Sequence, residues 1–318
     1  MPQTSKYVAL LLGLCVAGAG SAFAQAQGSW EMKAPLPAAL NEVTLAEVGG
    51  KIHVLGGAVL GVAGPYHLEY DPATDKWRTR ALMPRGLDHV GSTVLNGKII
   101  TVGGFIGSVH RDGQSAASEY DPATDTWRIL APLKAGRGSV AVAAVDGKIH
   151  AIGGRNPDGR TIATHEVYDP ATNSWKDLAP LPRARDHVAV AVIDGKIHIA
   201  GGRFGPPTER TDLHDVYDPK TDSWTSAPPL PTPRSGLAGT LYKGLFLVLG
   251  GELPPAQTFA ETEAFDAKAN AWRTLAPMPG GRHATQAATD GNRVYLAAGS
   301  LKPGSQQVTD QLIVFTLP

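Results

Sequence analysis

Two markers recur in step along almost the whole chain. The first is an aromatic-Asp-Pro turn followed by a Trp: Tyr70-Asp71-Pro72 with Trp77, Tyr120-Asp121-Pro122 with Trp127, Tyr168-Asp169-Pro170 with Trp175, and Tyr217-Asp218-Pro219 with Trp224. A fifth copy reads Phe265-Asp266-Ala267 with Trp272. The second marker is a glycine pair, Gly56-Gly57, Gly103-Gly104, Gly153-Gly154, Gly201-Gly202 and Gly250-Gly251, decayed to Ala298-Gly299 at the end. Counting from Trp30, successive Trp residues are 47, 50, 48, 49 and 48 positions apart, and the glycine pairs keep the same spacings. A period near 50 held this long predicts one small unit repeated, each unit burying its apolar face only against its neighbours.

Four short strands can be read in each unit. The first is an apolar stretch such as Val188 to Ile193, ending at Asn96-Gly97, Asp146-Gly147, Asp194-Gly195 or Asp290-Gly291. Such Asx-Gly turns are the strongest short-range hairpin signal, because both residues need positive φ. The second strand runs into the glycine pair, the third ends in Tyr-Asp-Pro, and the fourth carries the Trp. The paired glycines let neighbouring backbones approach, and the aromatic residues fill the space between units. The chain ends are complementary fragments. Ser29-Trp30 through Pro35-Leu36-Pro37 matches a fourth strand without its unit, while Arg293–Leu296 and Gln311–Phe315 are second and third strands without a fourth. Separate end units would leave unpaired edges, so the Trp30 strand is expected to complete the sixth unit.

The glycine pairs, the Tyr-Asp-Pro turns and the spaced Trp residues resemble kelch repeats over residues 28 to 318. The resemblance implies an all-β fold, a six-bladed kelch-type β-propeller with four-stranded antiparallel blades, closed by the Trp30 strand pairing into the last blade. It says little of activity, since propellers host many unrelated functions.

Residues 1–24 read as a cleaved signal peptide. Lys6 precedes an apolar run from Tyr7 to Phe23, and Ala22-Phe23-Ala24 offers a small-x-small cleavage site. The mature domain is then residues 25–318, exported to the periplasm or secreted, with no membrane span after cleavage and expected to be monomeric. Cys15 is the only cysteine and leaves with the leader, so no disulfide framework is available. Galactose oxidase resembles kelch proteins, but its radical cofactor needs a Cys joined to a Tyr beside copper, which excludes that activity here. Zero formal net charge and 18% charged residues argue against nucleic acid as a partner. No phosphate-binding loop, nucleophile elbow or sialidase-type box is present.

Site residues are sought on the face carrying the Pro-Leu-Pro connections and the loops after each glycine pair, because only that face varies between repeats. Sixteen positions before each pair stand Leu40, Leu87, Arg137, Arg185, Arg234 and Arg282; directly after it stand Ala58, Phe105, Arg155, Arg203, Glu252 and Ser300. Six arginines converging on a channel mouth would suit a carboxylate or phosphate, and arginines at the first-strand position contact acidic peptides in the kelch proteins that bind them. The competing role for each is to bridge blades. His89 and His187 occupy matching places, each after an aspartate, and strand alternation would point the members of each Asp-His pair to opposite sides. His53, His150 and His198 share a position in separate blades, expected about 10 Å apart or more, too far for one metal. No metal and no cofactor are expected.

Two functions follow. The first is a binding or interaction module whose Arg-lined mouth (Arg137, Arg155, Arg185, Arg203, Arg234 and Arg282, with His89, His187 and Glu252) takes an anionic ligand, an acidic sugar or an acidic protein segment. The second comes from the resemblance. Exported bacterial six-bladed kelch proteins include the N-acetylneuraminate mutarotase family, which implies a sugar mutarotase or epimerase with His187 or Glu252 moving the proton. Loops of only 12 to 15 residues between glycine pair and Tyr-Asp-Pro leave little material for a deep pocket, which weights the reading toward binding.

Overall fold

The computed structural model describes residues 27–106 and 110–318; the leader expected over residues 1–24, Cys15 included, lies outside the described residues. No helix among the described residues is long and apolar enough to cross a membrane. Six four-stranded antiparallel sheets form the blades. Blade 4 shows the common plan: Ala189–Ile193, Lys196–Ala200, His214–Asp218 and Ser223–Ser226 lie side by side in chain order, inside to outside. Ile197 and Ile199 of its second strand are fully buried, each contributing roughly 1.5–3 kcal/mol on leaving water. They pack with Tyr217 against Ala141, Ala143 and Val145 of blade 3, so the core lies between blades rather than within them.

The sixth blade is assembled from both ends of the described chain. Ala287–Thr289, Val294–Ala297 and Leu312–Thr316 come from the C-terminal segment, and Ser29–Lys33 adds the outer strand. Trp30 stands opposite Phe315 in that register, with ring centroids 5.0 Å apart. The innermost strands touch their neighbours all round the axis, Thr44–Val48 meeting Ala287–Thr289 at the closure.

Each repeated marker has a job at the seam between blades. The second glycine of every pair donates its N–H to the next blade, to the carbonyl at the Leu/Arg position: Gly57 to Leu87, Gly104 to Arg137, Gly154 to Arg185, Gly202 to Arg234, Gly251 to Arg282, and Gly299 to Leu40 across the closure. The first glycine makes that approach possible. A Cβ on Gly250 would lie 2.2 Å from the Arg282 carbonyl oxygen, at a φ of +60°. Every Trp indole N–H donates to a carbonyl of the preceding connection, as Trp77 to Ala34 at 2.8 Å and Trp30 to Ala276 at 2.9 Å. The blade tyrosine hydroxyls donate to the turn, as Tyr217 to Asp222 at 2.7 Å.

Three of the four expected Asx-Gly turns have both residues at positive φ: Asn96-Gly97, Asp146-Gly147 and Asp194-Gly195. The fourth differs. Only Gly291 has positive φ, because the Asp290 carboxylate accepts the N–H groups of Asn292 and Arg293 and holds a wider turn. Gly49-Gly50 and Lys243-Gly244 supply the positive-φ pair in blades 1 and 5.

Candidate ligand site at the axial mouth

Two residues beyond each Leu/Arg position, just before the innermost strand, the six blades place Glu42, His89, Ser139, His187, Gly236 and Ala284. All six have left-handed backbones, with φ of 56°, 49°, 52°, 56°, 71° and 61°. Five of them are not glycine, at a cost on the order of 1–3 kcal/mol each. A belt of backbone bonds from blade to blade holds them there. The N–H of Glu42 donates to the Ala284 carbonyl at 2.7 Å, His89 to Glu42 at 3.0 Å, Ser139 to His89 at 3.0 Å and Gly236 to His187 at 3.1 Å. The six residues ring the mouth of an axial channel of about 370 Å³, walled below by innermost-strand residues such as Thr44, Ser92, Val142 and Val190.

The left-handed conformation corrects one expectation. Strand alternation was to separate Asp88 from His89 and Asp186 from His187, but neither histidine is extended. Each folds back, so His89 Nδ1 lies 2.7 Å from Asp88 Oδ1 and His187 Nδ1 meets Asp186 Oδ1. Both are Asp–His dyads. Near the axis, equivalent positions also come much closer than they do out in the blades: the His89 and His187 rings are 5.2 Å apart although a whole blade lies between them.

The arginines divide into two groups. Arg137, Arg185 and Arg234 are fully buried and turned into their own blades. They pair with Glu166, Asp215 and Glu263 on the third strand and donate to second-strand carbonyls, as Arg185 to Ile199 at 3.2 Å. Arg282 has no acid partner and donates instead to the Ala298 carbonyl and to the Gln311 carbonyl and side chain. Its burial without a counter-charge pushes its pKa down to about 10. These four brace the blades. The sequence carried the signal: an acid stands two residues before the blade's Tyr or Phe only where an Arg stands in the first-strand position, whereas Leu40 and Leu87 face blades with Leu68 and Ser118 there.

Arg155 and Arg203 lie behind the ring, tied to Asp186, with Arg203 as fully buried as the blade arginines. Arg155 Nε lies 3.1 Å from Asp186 Oδ2, and Arg203 Nε lies 3.2 Å from Asp186 Oδ1. Arg203 also joins the two residues expected to move protons. Its Nη2 donates to His187 Nε2 at 2.9 Å and its Nη1 to Glu252 Oε1 at 3.2 Å. Glu252 in turn accepts the Gly304 N–H at 2.9 Å. His110, from the loop after the blade-2 glycine pair, brings its Nε2 to 3.1 Å from His187 Nε2. Sequence reasoning missed Glu42, Ser139 and His110. The first two were legible as ring partners of His89 and His187, but His110 sits in a variable loop and has no counterpart in other repeats.

The two ring histidines are in opposite electrostatic settings. Burial disfavours a charged His89, but the Glu42 and Asp88 carboxylates outweigh it and push its pKa up to about 10. At His187 burial and the Arg203 guanidinium together push it down to about 4, against the pull of Asp186. The blade histidines are a separate set. His53 pairs with His67, His150 with His165 and His198 with His214, each Nδ1 2.9 Å from its partner's Nε2. The third-strand partner's Nδ1 faces a backbone carbonyl, Ala81, Ala179 or Pro228, so it donates there and accepts from the second-strand ring.

Comparison with known proteins decides the family. The model of the KLHDC2/KLHL20/DRC7 Kelch-repeats domain matches residues 139–317, more than half of the chain. The chain belongs to the kelch-repeat family. The Kelch motif model also matches residues 88–134, so the matches together span blades 2 to 6 of this kelch propeller. Among solved structures, the one titled "Structure of YjhT" is similar to this kelch chain with a TM-score of 0.73, 18% identity, and 89% of this chain and 98% of the other covered. At that identity the likeness speaks for the fold alone. No curated protein sequence matches the chain.

Proposed function

We propose that this kelch propeller is a binding module that takes a small, hydroxyl-rich ligand of monosaccharide size in its axial mouth. The observation that carries the reading is the strained ring: Glu42, His89, Ser139 and His187 stand at left-handed φ over the channel, and strain of this kind clusters at functional sites. Gly236 and Ala284 leave one side of the ring without a long side chain, which gives a ligand room to enter. Of the six arginines only Arg155 keeps a partly exposed side chain to meet an acidic ligand, because Arg203 is buried against Asp186, His187 and Glu252 and the other four are committed inside the blades.

Ligand-observed NMR with N-acetylmannosamine, galactose and N-acetylneuraminic acid tests this directly. The neutral sugars are expected to show saturable binding, weakened more than tenfold by Ser139→Trp, which fills the ring, in a protein whose circular dichroism is unchanged. Binding indifferent to both Ser139→Trp and His187→Ala would overturn the mouth as the site. Binding of the acid alone would return the site to Arg155. Export to the periplasm or medium belongs to the same proposal and is checked by N-terminal sequencing of the exported chain for cleavage after Ala24.

One observation favours catalysis as a second reading. Asp186 fixes the proton on His187 Nδ1, so His187 Nε2 is the basic nitrogen; its lone pair accepts from Arg203, itself bonded to Glu252, and a sugar hydroxyl would take the place of that guanidinium. A sugar hydroxyl could give up its proton there. Freshly dissolved α-anomer of N-acetylneuraminic acid, followed by NMR, should then equilibrate faster with the protein, and His187→Ala should remove at least 99% of that acceleration. Unaltered anomer kinetics end the reading for that substrate.

A further inference from the structure

We propose that His89, His110 and His187 form a binding site for one divalent transition metal at the axial mouth, with the Glu42 carboxylate as a fourth donor. The three imidazoles offer ligand atoms that all lie within 4.8 Å of one another. His110 Nε2 and His187 Nε2 are 3.1 Å apart, close to the roughly 3.3 Å that two nitrogens span across a tetrahedral zinc at about 2.05 Å. Glu42 Oε2 lies 2.9 Å from His89 Nε2, on the side a fourth ligand would occupy. The His89 ligand atom, within 4.8 Å of the other two, has to move inward to reach the roughly 3.3 Å spacing of a tetrahedral site.

Three features point to a cation rather than to a packed histidine cluster. First, His89 Nε2 is buried and its polar neighbour is the Glu42 carboxylate, 2.9 Å away, a nitrogen–carboxylate pair that one metal ion can take as two of its ligands. Second, His110 Nε2 and His187 Nε2 face each other and share one donor, Arg203 Nη2, at 3.3 and 2.9 Å. Both ring nitrogens thus converge on one cationic nitrogen, the position a metal ion would take over. Third, the His89 and His187 rings are oriented from behind by Asp88 and Asp186 through Nδ1, the outer support found behind metal-binding imidazoles.

Charge agrees with this. Four carboxylates meet at the mouth (Glu42, Asp88, Asp186 and Glu252) against two guanidiniums, Arg155 and Arg203, and the His89 imidazolium; a divalent ion that displaces the His89 proton leaves the mouth neutral. Imidazole nitrogens with one carboxylate select zinc and its neighbours over magnesium or calcium, which prefer all-oxygen sites. In the metal-free state Arg203 stands in as the cation, so it competes with the metal for His110 and His187.

The site shares its location with the proposed ligand site but is tested with the metal alone, so either can fail without the other. The untagged full-length chain is stripped with chelator and titrated with zinc by calorimetry and with cobalt by absorption spectroscopy. One equivalent of zinc is expected to bind, with cobalt giving the visible bands of a tetrahedral site and magnesium and calcium giving no heat. His110→Ala, on a surface loop where loss of folding is not expected, should weaken zinc at least 100-fold. Arg203→Gln should strengthen it about tenfold, the opposite of what a merely structural Arg203 would do. No stoichiometric zinc binding, or zinc binding unchanged in both His110→Ala and the His89→Ala/His187→Ala double variant, would overturn the proposal, as would Arg203→Gln weakening zinc while the thermal midpoint holds.

Discussion

A chain beginning at Pro35 is expected to lose its cooperative thermal transition and to elute as aggregate. Removing Ser29–Lys33 takes away all five residue pairs with Leu312–Thr316, the stacking of Trp30 on Phe315 and the indole bond to Ala276. The effect spreads to blade 1, since Ala34 supplies the acceptor for Trp77 and the N–H that Asp75 receives. Truncating one large aromatic core residue costs about 3–5 kcal/mol, and here a whole strand goes with it, against a total stability of about 5–15 kcal/mol. The exposed Leu312–Thr316 edge is apolar and extended, a template for pairing with another chain. A synthetic peptide spanning residues 27–35 should restore the monomer by strand addition. Circular dichroism and size-exclusion chromatography read both outcomes. A truncated chain that melts within a few degrees of the intact one would mean that the closing strand is dispensable.

Acid should unfold this protein well before its carboxylates titrate. The six blade histidines are held below the usual imidazole value chiefly by burial, His53, His165 and His214 at about 3 and His67, His150 and His198 at about 4. In the unfolded chain each titrates near 6.5. The sign follows: between roughly pH 6.5 and 4 the unfolded state binds protons that the folded state refuses, so stability is unaffected above 6.5 and falls as the pH drops. At pH 5.5 each refused proton costs about 1.4 kcal/mol. One per pair gives about 4 kcal/mol and all six about 8, comparable to the whole stability of a domain. His89 acts in the other direction. Its raised value stabilises the fold fully below about pH 6.5, and that contribution is lost steadily as the pH climbs from there to about 10. Denaturant midpoints from pH 7.5 to 5 should fall steeply, and replacing His150 and His165 together by apolar residues of similar volume should flatten the slope. A flat profile over that interval would show that the pairs accept protons without cost.

The ring was legible because its markers are backbone requirements. A Trp whose indole must reach the preceding blade recurs in all six repeats, and a glycine pair whose neighbour's carbonyl sits 2.2 Å from where a Cβ would be recurs in five, the sixth holding Ala298 at a φ of 63° in the first place. The mouth was less legible for the opposite reason. Its residues point at the axis, where the blades contribute mostly different groups, and so Glu42, His89, Ser139, His187, Gly236 and Ala284 share a backbone conformation but, the two histidines apart, no chemistry. Arg137, Arg185 and Arg234 misdirected attention because a charged residue at a strand end reads as exposed. Their acid partners, thirty or so residues on in the third strand, turn them inward. The Asp–His dyads were hidden by a rule that holds for extended strands and fails at a left-handed residue.

The closing strand also fixes an order of events. The segment around Trp30 is the first part of the propeller to leave the ribosome, yet its partner, Leu312–Thr316, is nearly the last to be made. Blades 1 to 5 can each complete their own hydrogen bonding as they emerge. The sixth must join two ends of the polypeptide, a long closure whose entropic cost grows only slowly with length once the intervening blades hold the ends near each other. The circle therefore cannot close until the last strand has been made, and until then the propeller is a curved stack with two adhesive edges, the state in which a holding chaperone would matter most.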